Sequence, residues 1–239
     1  MRSTRGFTLI ELMVAGAVVA VLVALAVAAF SRIGGQAAPQ NAAHDLYSAL
    51  QRARSIAVGR NAQVWVVVYP LIGETAAAGN GAWFVLEDRE GNFGIAGSPG
   101  ATYAAFDPLS PHPANAGVRL IEHRYLDRYP RRNARFGTAT GSAGASFRVP
   151  FEGLNALAEA ARTCSFCSGN GPAQRGAIVF DGNGSARFVD ATGAPAAPAS
   201  TATQTANRTH TLALSDGDGT ERGYLYAISA PTGFIGFHQ

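Results

Sequence analysis

Glu11 is an ionisable side chain inside a stretch of the chain that is otherwise almost wholly apolar. The stretch runs from Phe7 to Phe30 in Val, Ala, Leu and Ile, and only Thr8, Glu11 and Gly16 interrupt it. A carboxylate at membrane depth costs about 2.5 to 3.5 kcal/mol on insertion scales, so it needs a partner that neutralises it. The chemistry expected of Glu11 is therefore ion pairing with an amine.

Cys164 and Cys167 are the only cysteines, and their Cys-Ser-Phe-Cys motif fits three kinds of chemistry. These are a short-loop disulfide, a thioredoxin-like redox pair and half of a zinc site. A redox pair needs a helix that starts at the motif, whereas the Gly- and Pro-containing residues 168–172 prevent one. Zinc needs a second pair of ligands, which the sequence lacks at ligand spacing. The favoured interpretation is a disulfide in a glycine-rich loop outside the cytoplasm.

Five arginines form the one cluster that could hold a polyanion. They are Arg124, Arg128, Arg131, Arg132 and Arg135. Tyr125 and Tyr129 lie between them, and arginine combined with aromatic stacking is how single-stranded nucleic acid is held without sequence preference. Glu122 and Asp127 dilute the positive charge, however, and segments of this composition are usually exposed loops. The sequence favours a solvated loop, with DNA contact as the alternative.

Two Asp- and Gly-rich turns, 181–184 and 216–219, resemble calcium loops. Thr192 and Ala227 stand where the glutamate at the twelfth loop position would be, so metal binding is not predicted. The sequence also has no Gly-x-Ser-x-Gly elbow, no phosphate loop ending in Gly-Lys and no His-Glu-x-x-His. It therefore predicts no catalytic residues, no metal and no cofactor, and the protein is not expected to be an enzyme.

Composition predicts one globular domain of ordinary size together with a membrane segment. The chain has 239 residues, of which 47% are hydrophobic, and this content argues against intrinsic disorder. Every basic residue is arginine, and the net charge of +3 is too small to predict a polyanion partner by itself.

The apolar run is long enough to cross a membrane. As a helix it spans about 36 Å, whereas a hydrocarbon core is about 30 Å thick. Arg2 and Arg5 precede it and Arg32 follows it, so charge favours a cytoplasmic N-terminus. The alternative is a secretory signal peptide cleaved after residues 26–28, which read Ala-Val-Ala. The length of the run and Glu11 both oppose that alternative.

Gly34, Gly35 and Pro39 interrupt the helical pattern of the apolar run. A second, amphipathic helix is expected after them, with Asn41 as its N-terminal cap and its end near Val58. The residues of its predicted buried face recur at spacings of three and four along the sequence. That face consists of Ala43, Leu46, Tyr47, Leu50, Ala53, Arg54 and Ala57. The opposite face is predicted to be solvated, and it consists of His44, Asp45, Gln51, Arg52 and Arg60.

A β-rich region follows Gly59, because the chain becomes rich in β-branched and aromatic residues. The predicted strands are residues 64–69, 83–86, 118–121, 146–149, 177–180, 186–189, 209–214 and 223–228. The first two are predicted to pair antiparallel, and the last four to form two hairpins at the Asp- and Gly-rich turns.

The segment from Arg5 to Leu12 resembles the processing site of type IV prepilins and type II secretion pseudopilins. The resemblance implies that a prepilin peptidase cuts between Gly6 and Phe7 and that the new N-terminal residue, Phe7, is methylated. Glu11 then becomes the fifth mature residue. It is implied to pair with the N-terminal amine of a neighbouring subunit, and two isolated charges in lipid gain most by meeting.

The chain resembles the GspH/FimT branch of minor pilins and pseudopilins in four segments. They are residues 46–57, the turn at 59–61, the Val-rich strand after that turn, and residues 177–182. This branch implies a low-abundance subunit that helps to prime or cap a filament. Some FimT-like proteins are DNA receptors with a Gly-Arg motif near the C-terminus, whereas residues 233–238 here carry no arginine and are predicted to form a strand. The branch's soluble domain is usually smaller, so residues of about 92–175 are expected to form additional loops.

Together these features predict an α+β, type IV pilin-like fold. Its parts are a leader at 1–6, a membrane and filament-core helix at 7–30, an amphipathic helix at 31–59 and a periplasmic β-rich domain at 60–239. The predicted function is that of a structural filament subunit anchored once in the inner membrane, with other pilins and the prepilin peptidase as partners. A pilus-tip DNA receptor and a secreted β-rich protein with an ordinary signal peptide are the alternatives.

Overall fold

A computed structural model describes residues 8–75, 78–94, 102–113, 117–138, 163–196, 209–217, 223–230 and 232–238, with the backbone alone for residues 28–36. The chain divides into two compact units, Met1–Ala37 and Ala38–Gln239. An N-terminal apolar helix and antiparallel β-sheets are both present, so the predicted α+β class is confirmed.

Helix α1 spans Leu9–Arg60 and contains Pro39. The predicted amphipathic helix is therefore the C-terminal part of this element, and Asn41 lies inside the helix instead of capping it. In the first unit the residues of α1 are mostly Ala, Val and Leu, and Ala and Leu are among the strongest helix formers.

The predicted buried face of α1 in the second unit is confirmed. Ala43, Leu46, Leu50, Ala53 and Ala57 are all fully buried, while Tyr47 and Arg54 at the margin of this face are half-buried. Small alanines alternate with leucines along the face, so the helix can approach the sheets closely.

Nine strands lie in the described residues. They are β1 Gln63–Tyr69, β2 Ala82–Asp88, β3 Val118–Tyr125, β4 Ala134–Phe136, β5 Gly176–Phe180, β6 Ala186–Val189, β7 Thr209–Asp216, β8 Gly223–Ser229 and β9 Phe234–His238. The sequence predicted each of them except β4, including the final strand. The predicted strand at 146–149 lies outside the described residues.

The strands form two antiparallel sheets. The first has the order β3-β2-β1-β5-β6 and the second the order β4-β7-β8-β9. β1 pairs with β2 from Gln63↔Asp88 to Tyr69↔Ala82, as predicted. Both predicted hairpins, β5–β6 and β7–β8, are also present. In the first of them Gly184 has φ +82°, a conformation that glycine adopts without strain. Residues 218–222 of the second turn lie outside the described residues.

The first sheet is buried on both faces. Val64, Val66 and Val68 of β1 pack into the core that includes α1 and the second sheet. The alternate residues Trp65 and Val67 face a second core. That core is completed by aromatic residues from the loops, namely Phe93, Tyr103 and Phe106. Part of the additional segment predicted at about 92–175 therefore covers the outer face of the sheet.

Candidate functional site

Thr8 and Glu11 form reciprocal hydrogen bonds at the start of α1. The backbone N–H and the hydroxyl of Thr8 donate to Glu11 Oε2 at 3.4 and 3.3 Å, and the Glu11 N–H donates to Thr8 Oγ1 at 3.4 Å. This arrangement is a capping box, which satisfies N–H groups that have no partner in the first turn. It holds the carboxylate beside the positive end of the helix dipole. Sequence reasoning missed this role, although Thr-x-x-Glu is its signature. Gly6 and Phe7 lie outside the described residues.

The helix around Glu11 exposes a continuous apolar surface. Residues Leu9–Val27 form a span with a mean hydropathy of 2.7, and none of it is buried. It is the one helix in the described part of the chain that is long and apolar enough to cross a membrane. Glu11 is the only charged residue within it. A core helix of a folded domain would be covered, so this exposed surface needs lipid or other subunits to cover it.

Cys164 and Cys167 lie in a loop that extends the second sheet. Their sulfur atoms are 1.99 Å apart in the structure, and the disulfide stays a prediction. The Ser165 N–H donates to the Thr211 carbonyl at 2.9 Å, and the Ala213 N–H donates to the Thr163 carbonyl at 3.0 Å. The loop therefore pairs with β7 through residues 163–165, and Cys164 forms a β-bridge with Leu212.

Phe166, between the two cysteines, is buried in the main core. Its ring centroid lies 5.4 Å from that of Phe188 on β6 and 6.1 Å from that of His210 on β7. The side chain thus touches one strand of each sheet. The sequence offered no signal for this role, because an aromatic residue in a glycine-rich loop has no periodic partner.

His210 is a buried histidine against this loop. It is 5% exposed, and its Nδ1 lies 3.3 Å from Ser165 Oγ, which accepts a hydrogen bond from the Thr211 N–H. The imidazole and the serine hydroxyl are within hydrogen-bond distance, and the tautomer of the imidazole decides which of them donates. Burial lowers the pKa of His210 to about 4, so the ring is neutral at physiological pH.

The five clustered arginines do not share one environment. Arg124 lies 3.7 Å from Glu122, and Arg128 forms an ion pair with Glu74. Arg135 on β4 is half-buried. Arg131 and Arg132 are exposed, and neither forms an ion pair with any described residue. The cluster therefore consists of two paired side chains, one half-buried side chain and two exposed side chains without an ion pair among the described residues.

Polar residues of α1 that were predicted to be solvated form a row of contacts with the first sheet and the loop after it. The Tyr129 hydroxyl donates to Asp45 Oδ2 at 2.5 Å, and Arg52 forms an ion pair with Glu122. Arg60 pairs with Glu87. Arg52 and Arg60 are exposed, as predicted, although each forms an ion pair, and Asp45 is half-buried. Their partners are distant in sequence, so no local pattern indicates them.

Arg175 is a further arginine whose role the sequence did not indicate. Its guanidinium donates to the Tyr69 hydroxyl at 2.8 Å and to the carbonyls of Ala104 and Ala191 at 2.9 and 3.1 Å. The Phe106 carbonyl accepts as well, at 3.4 Å. The side chain borders a cavity of about 650 Å³. Because its donors are taken by the protein, Arg175 holds loops to the sheet and offers no anion site.

Residues 1–27 match a family model described as the prokaryotic N-terminal methylation motif. The match covers Gly6, Phe7 and Glu11 and ends where the exposed apolar span ends. Searches of curated proteins and of solved structures found no match to this chain.

The methylation motif and the apolar helix define a type IV prepilin-like protein. Proteins that carry this motif are structural subunits that assemble with other pilins after processing by the prepilin peptidase. The predicted resemblance to type IV prepilins is confirmed at this level, whereas the GspH/FimT branch stays a prediction.

Proposed function

We propose that this chain is a minor pilin or pseudopilin, a structural subunit of a type IV pilus or type II secretion pseudopilus that helps to prime or cap the filament. Cleavage between Gly6 and Phe7 would create the mature N-terminus, and methylation would follow on Phe7. Anchoring once in the inner membrane would place the β-rich unit in the periplasm. The role is assembly and contact, not catalysis.

The observation that carries the proposal is a lone carboxylate on an otherwise apolar, fully exposed helix. Leu9–Val27 is unburied, and Glu11 is its only charge. A charge in lipid is costly when isolated, and a neighbouring subunit's N-terminal amine would compensate it. Membership of a filament therefore supplies both missing partners, namely apolar neighbours for the helix and a cation for Glu11.

The test compares membrane insertion with filament incorporation for Glu11→Ala. We expect the variant to fractionate with membranes as the parent does and to be absent from sheared filaments. Normal incorporation of Glu11→Ala would contradict the proposal. Glu11→Asp is the matched control, since it keeps the charge on a shorter side chain.

N-terminal sequencing separates this proposal from a secreted protein with an ordinary signal peptide. A filament subunit gives a mature chain that starts at methylated Phe7. A chain that starts just after Ala28 would lack the helix and would support the secreted alternative.

A pilus-tip DNA receptor draws less support from the structure. Arg124 and Arg128 are engaged by carboxylates, and Arg135 is half-buried. The C-terminal segment is strand β9, which contains one histidine, His238, and neither arginine nor lysine.

A further inference from the structure

Arg135 and Ser215 lie opposite each other where β4 pairs with β7. They are register partners in this antiparallel pairing, and so are their neighbours Phe136 and Leu214. Phe136 and Leu214 belong to the main core. Because successive side chains of a strand point to opposite faces, Arg135 and Ser215 share the other face of the second sheet, where opposed side chains lie close together.

Both side chains carry a buried polar atom that has no partner. Arg135 Nε and Ser215 Oγ form no hydrogen bond with any described residue. Arg135 also forms no ion pair in the described part of the chain. The carboxylate nearest in sequence, Asp216, is opposite Ala134 in the register, and so it points to the core side of the sheet. A buried donor without an acceptor costs free energy, so the pair indicates a ligand that accepts from both atoms.

Gly137 leaves space beside these two atoms. A Cβ built on Gly137 would lie 3.4 Å from Ser215 Oγ and 3.7 Å from Arg135 Nε. Both are ordinary van der Waals distances, so the space takes an atom the size of a methyl carbon. The two polar atoms therefore border one small pocket, and any side chain at position 137 would occupy it.

The backbone around this pocket is held from two sides. The Gly137 N–H donates to the Ala213 carbonyl on β7 at 3.0 Å, and the Phe136 N–H donates to the Asn80 carbonyl at 3.0 Å. The donors of Arg135 and the space beside Gly137 are therefore preorganised, and ligand binding has little conformational entropy to overcome there.

We propose that Arg135, Ser215 and Gly137 form a binding site for one carboxylate group. A carboxylate is planar and has two acceptor oxygens, one for each donor, and a guanidinium recognises it by charge as well as by hydrogen bonding. The single positive charge of the site matches that of one carboxylate. The small pocket favours a planar group over the tetrahedral phosphate.

The carboxylate belongs to a small free acid or to an acidic side chain of another protein. The site lies wholly within the Ala38–Gln239 unit, so the inference goes beyond the proposed function and does not depend on it.

The experiment follows the Arg135 Nε–H signal of the full chain in detergent micelles by proton–nitrogen correlation NMR. The signal is identified by its loss in Arg135→Lys, which keeps the charge but has no N–H at this position. Sodium acetate is titrated, with sodium chloride at equal ionic strength as the reference. We expect a saturable movement of the signal with acetate and none with chloride.

Two capped peptides distinguish the sources of the carboxylate. One is a tripeptide with a central glutamate, and the other is its glutamine counterpart. Saturation by the glutamate peptide at a lower concentration than by acetate would assign the site to the side chain of a partner protein. Tighter binding of acetate would assign it to a small free acid. Either result supports the site, and the glutamine peptide should move nothing.

Three variants make the test specific. Gly137→Ala fills the pocket and should weaken acetate binding about tenfold or more, as overpacking does. Ser215→Ala removes one donor and should weaken it about tenfold, the effect of losing a hydrogen bond to a charged group. Gly59→Ala is the matched control, because a Cβ there meets nothing within 4 Å, and it should bind acetate as the parent does.

A signal that fails to move with acetate and with the glutamate peptide, or that moves equally with chloride, would overturn the proposal. Unchanged binding in both Gly137→Ala and Ser215→Ala would overturn it as well. Equal unfolding midpoints of the parent and Gly137→Ala, expected from the van der Waals distances, show that weaker binding does not come from a damaged fold.

Discussion

Arg60 Nη1 lies 2.7 Å from Oε2 of Glu87, a carboxylate that is 1% exposed. The pair joins the last residue of α1 to β2, and Arg89 contacts the other carboxylate oxygen at 3.2 Å. Burial alone would raise the pKa of Glu87, but hydrogen bonds from Arg60 and Arg89 lower it below its ordinary value. The carboxylate therefore stays ionised, and it depends on the two arginines for compensation.

Arg60→Ala should destabilise the β-rich unit by about 1.5 to 3 kcal/mol, because a charge-assisted hydrogen bond to a buried carboxylate is lost. Denaturation of the full chain in detergent, followed by the fluorescence of buried Trp65 and Trp83, measures the loss. Arg124→Ala is the control. Its ion pair with Glu122 is 3.7 Å long and Arg124 is exposed, so the loss should be less than about 1 kcal/mol. Equal losses in the two variants would contradict a special role for Arg60.

The secondary structure could be predicted because its signals are local. Val-rich β1 and the Asp-Gly-Asn-Gly turn between β5 and β6 each carry their pattern within a few residues. Strand β4 could not be predicted, since it has only three residues and Arg135 is at its centre. Its extended form depends on pairing with β7, which lies far along the chain.

The functional residues also divide into those that a local sequence pattern indicates and those that depend on partners distant in the sequence. Glu11 stands out in the sequence because every neighbour in the span is uncharged, whereas the contacts of Asp45 and Arg60 depend on partners brought close only by folding. The arginines clustered in sequence lie in different environments in space. Arg128 is neutralised by Glu74, which precedes it by 54 residues. Spacing alone could not reveal which arginines are free.

Stability should fall as the pH drops from about 6.5 to 4, owing to His210. Its folded pKa of about 4 lies below the value of 6.5 for a free imidazole, so in this window the unfolded chain binds a proton that the folded chain excludes. The loss between pH 7 and pH 5 should be about 2 kcal/mol. Denaturation at the two pH values measures it.

His210→Gln should abolish most of this pH dependence, because glutamine does not titrate. His44→Gln changes an exposed histidine and should keep the parent's dependence on pH. If the parent and His210→Gln lose the same stability between pH 7 and pH 5, another group is responsible.

The disulfide predicted between Cys164 and Cys167 should stabilise the β-rich unit by about 2 kcal/mol, the magnitude expected for a loop this short. Non-reducing mass analysis should show the oxidised chain, and Cys164→Ser with Cys167→Ser should lower the free energy of unfolding by that amount. Adding reductant to the parent should have the same effect, and adding it to the double variant should have none. A free thiol pair in protein recovered from the periplasm would contradict the prediction.

Phe166→Ala should cost more than loss of the disulfide, about 3 to 5 kcal/mol, because a fully buried ring that contacts both sheets is removed. Phe166→Leu is the conservative control and should lose considerably less. Denaturation under oxidising conditions isolates the packing contribution from the covalent one. If Phe166→Ala and Phe166→Leu lower the free energy of unfolding by similar amounts, the shape of the ring and not its volume decides the packing.

Variants of Thr8 and Glu11 distinguish how the orientation of the Glu11 carboxylate and its charge each affect assembly. Thr8→Val removes the hydroxyl of the capping box and leaves the charge, while Glu11→Gln removes the charge and keeps a side chain that can accept the Thr8 hydrogen bonds. If assembly depends on compensating a charge in lipid, Glu11→Gln should be absent from filaments. Thr8→Val should be incorporated at a reduced level, and Thr8→Ser should match the parent. Quantitative immunoblotting of sheared filaments against membrane fractions gives the ratio for each variant. Normal incorporation of Glu11→Gln together with loss of Thr8→Val would mean that the cap, and not the charge, is what assembly requires.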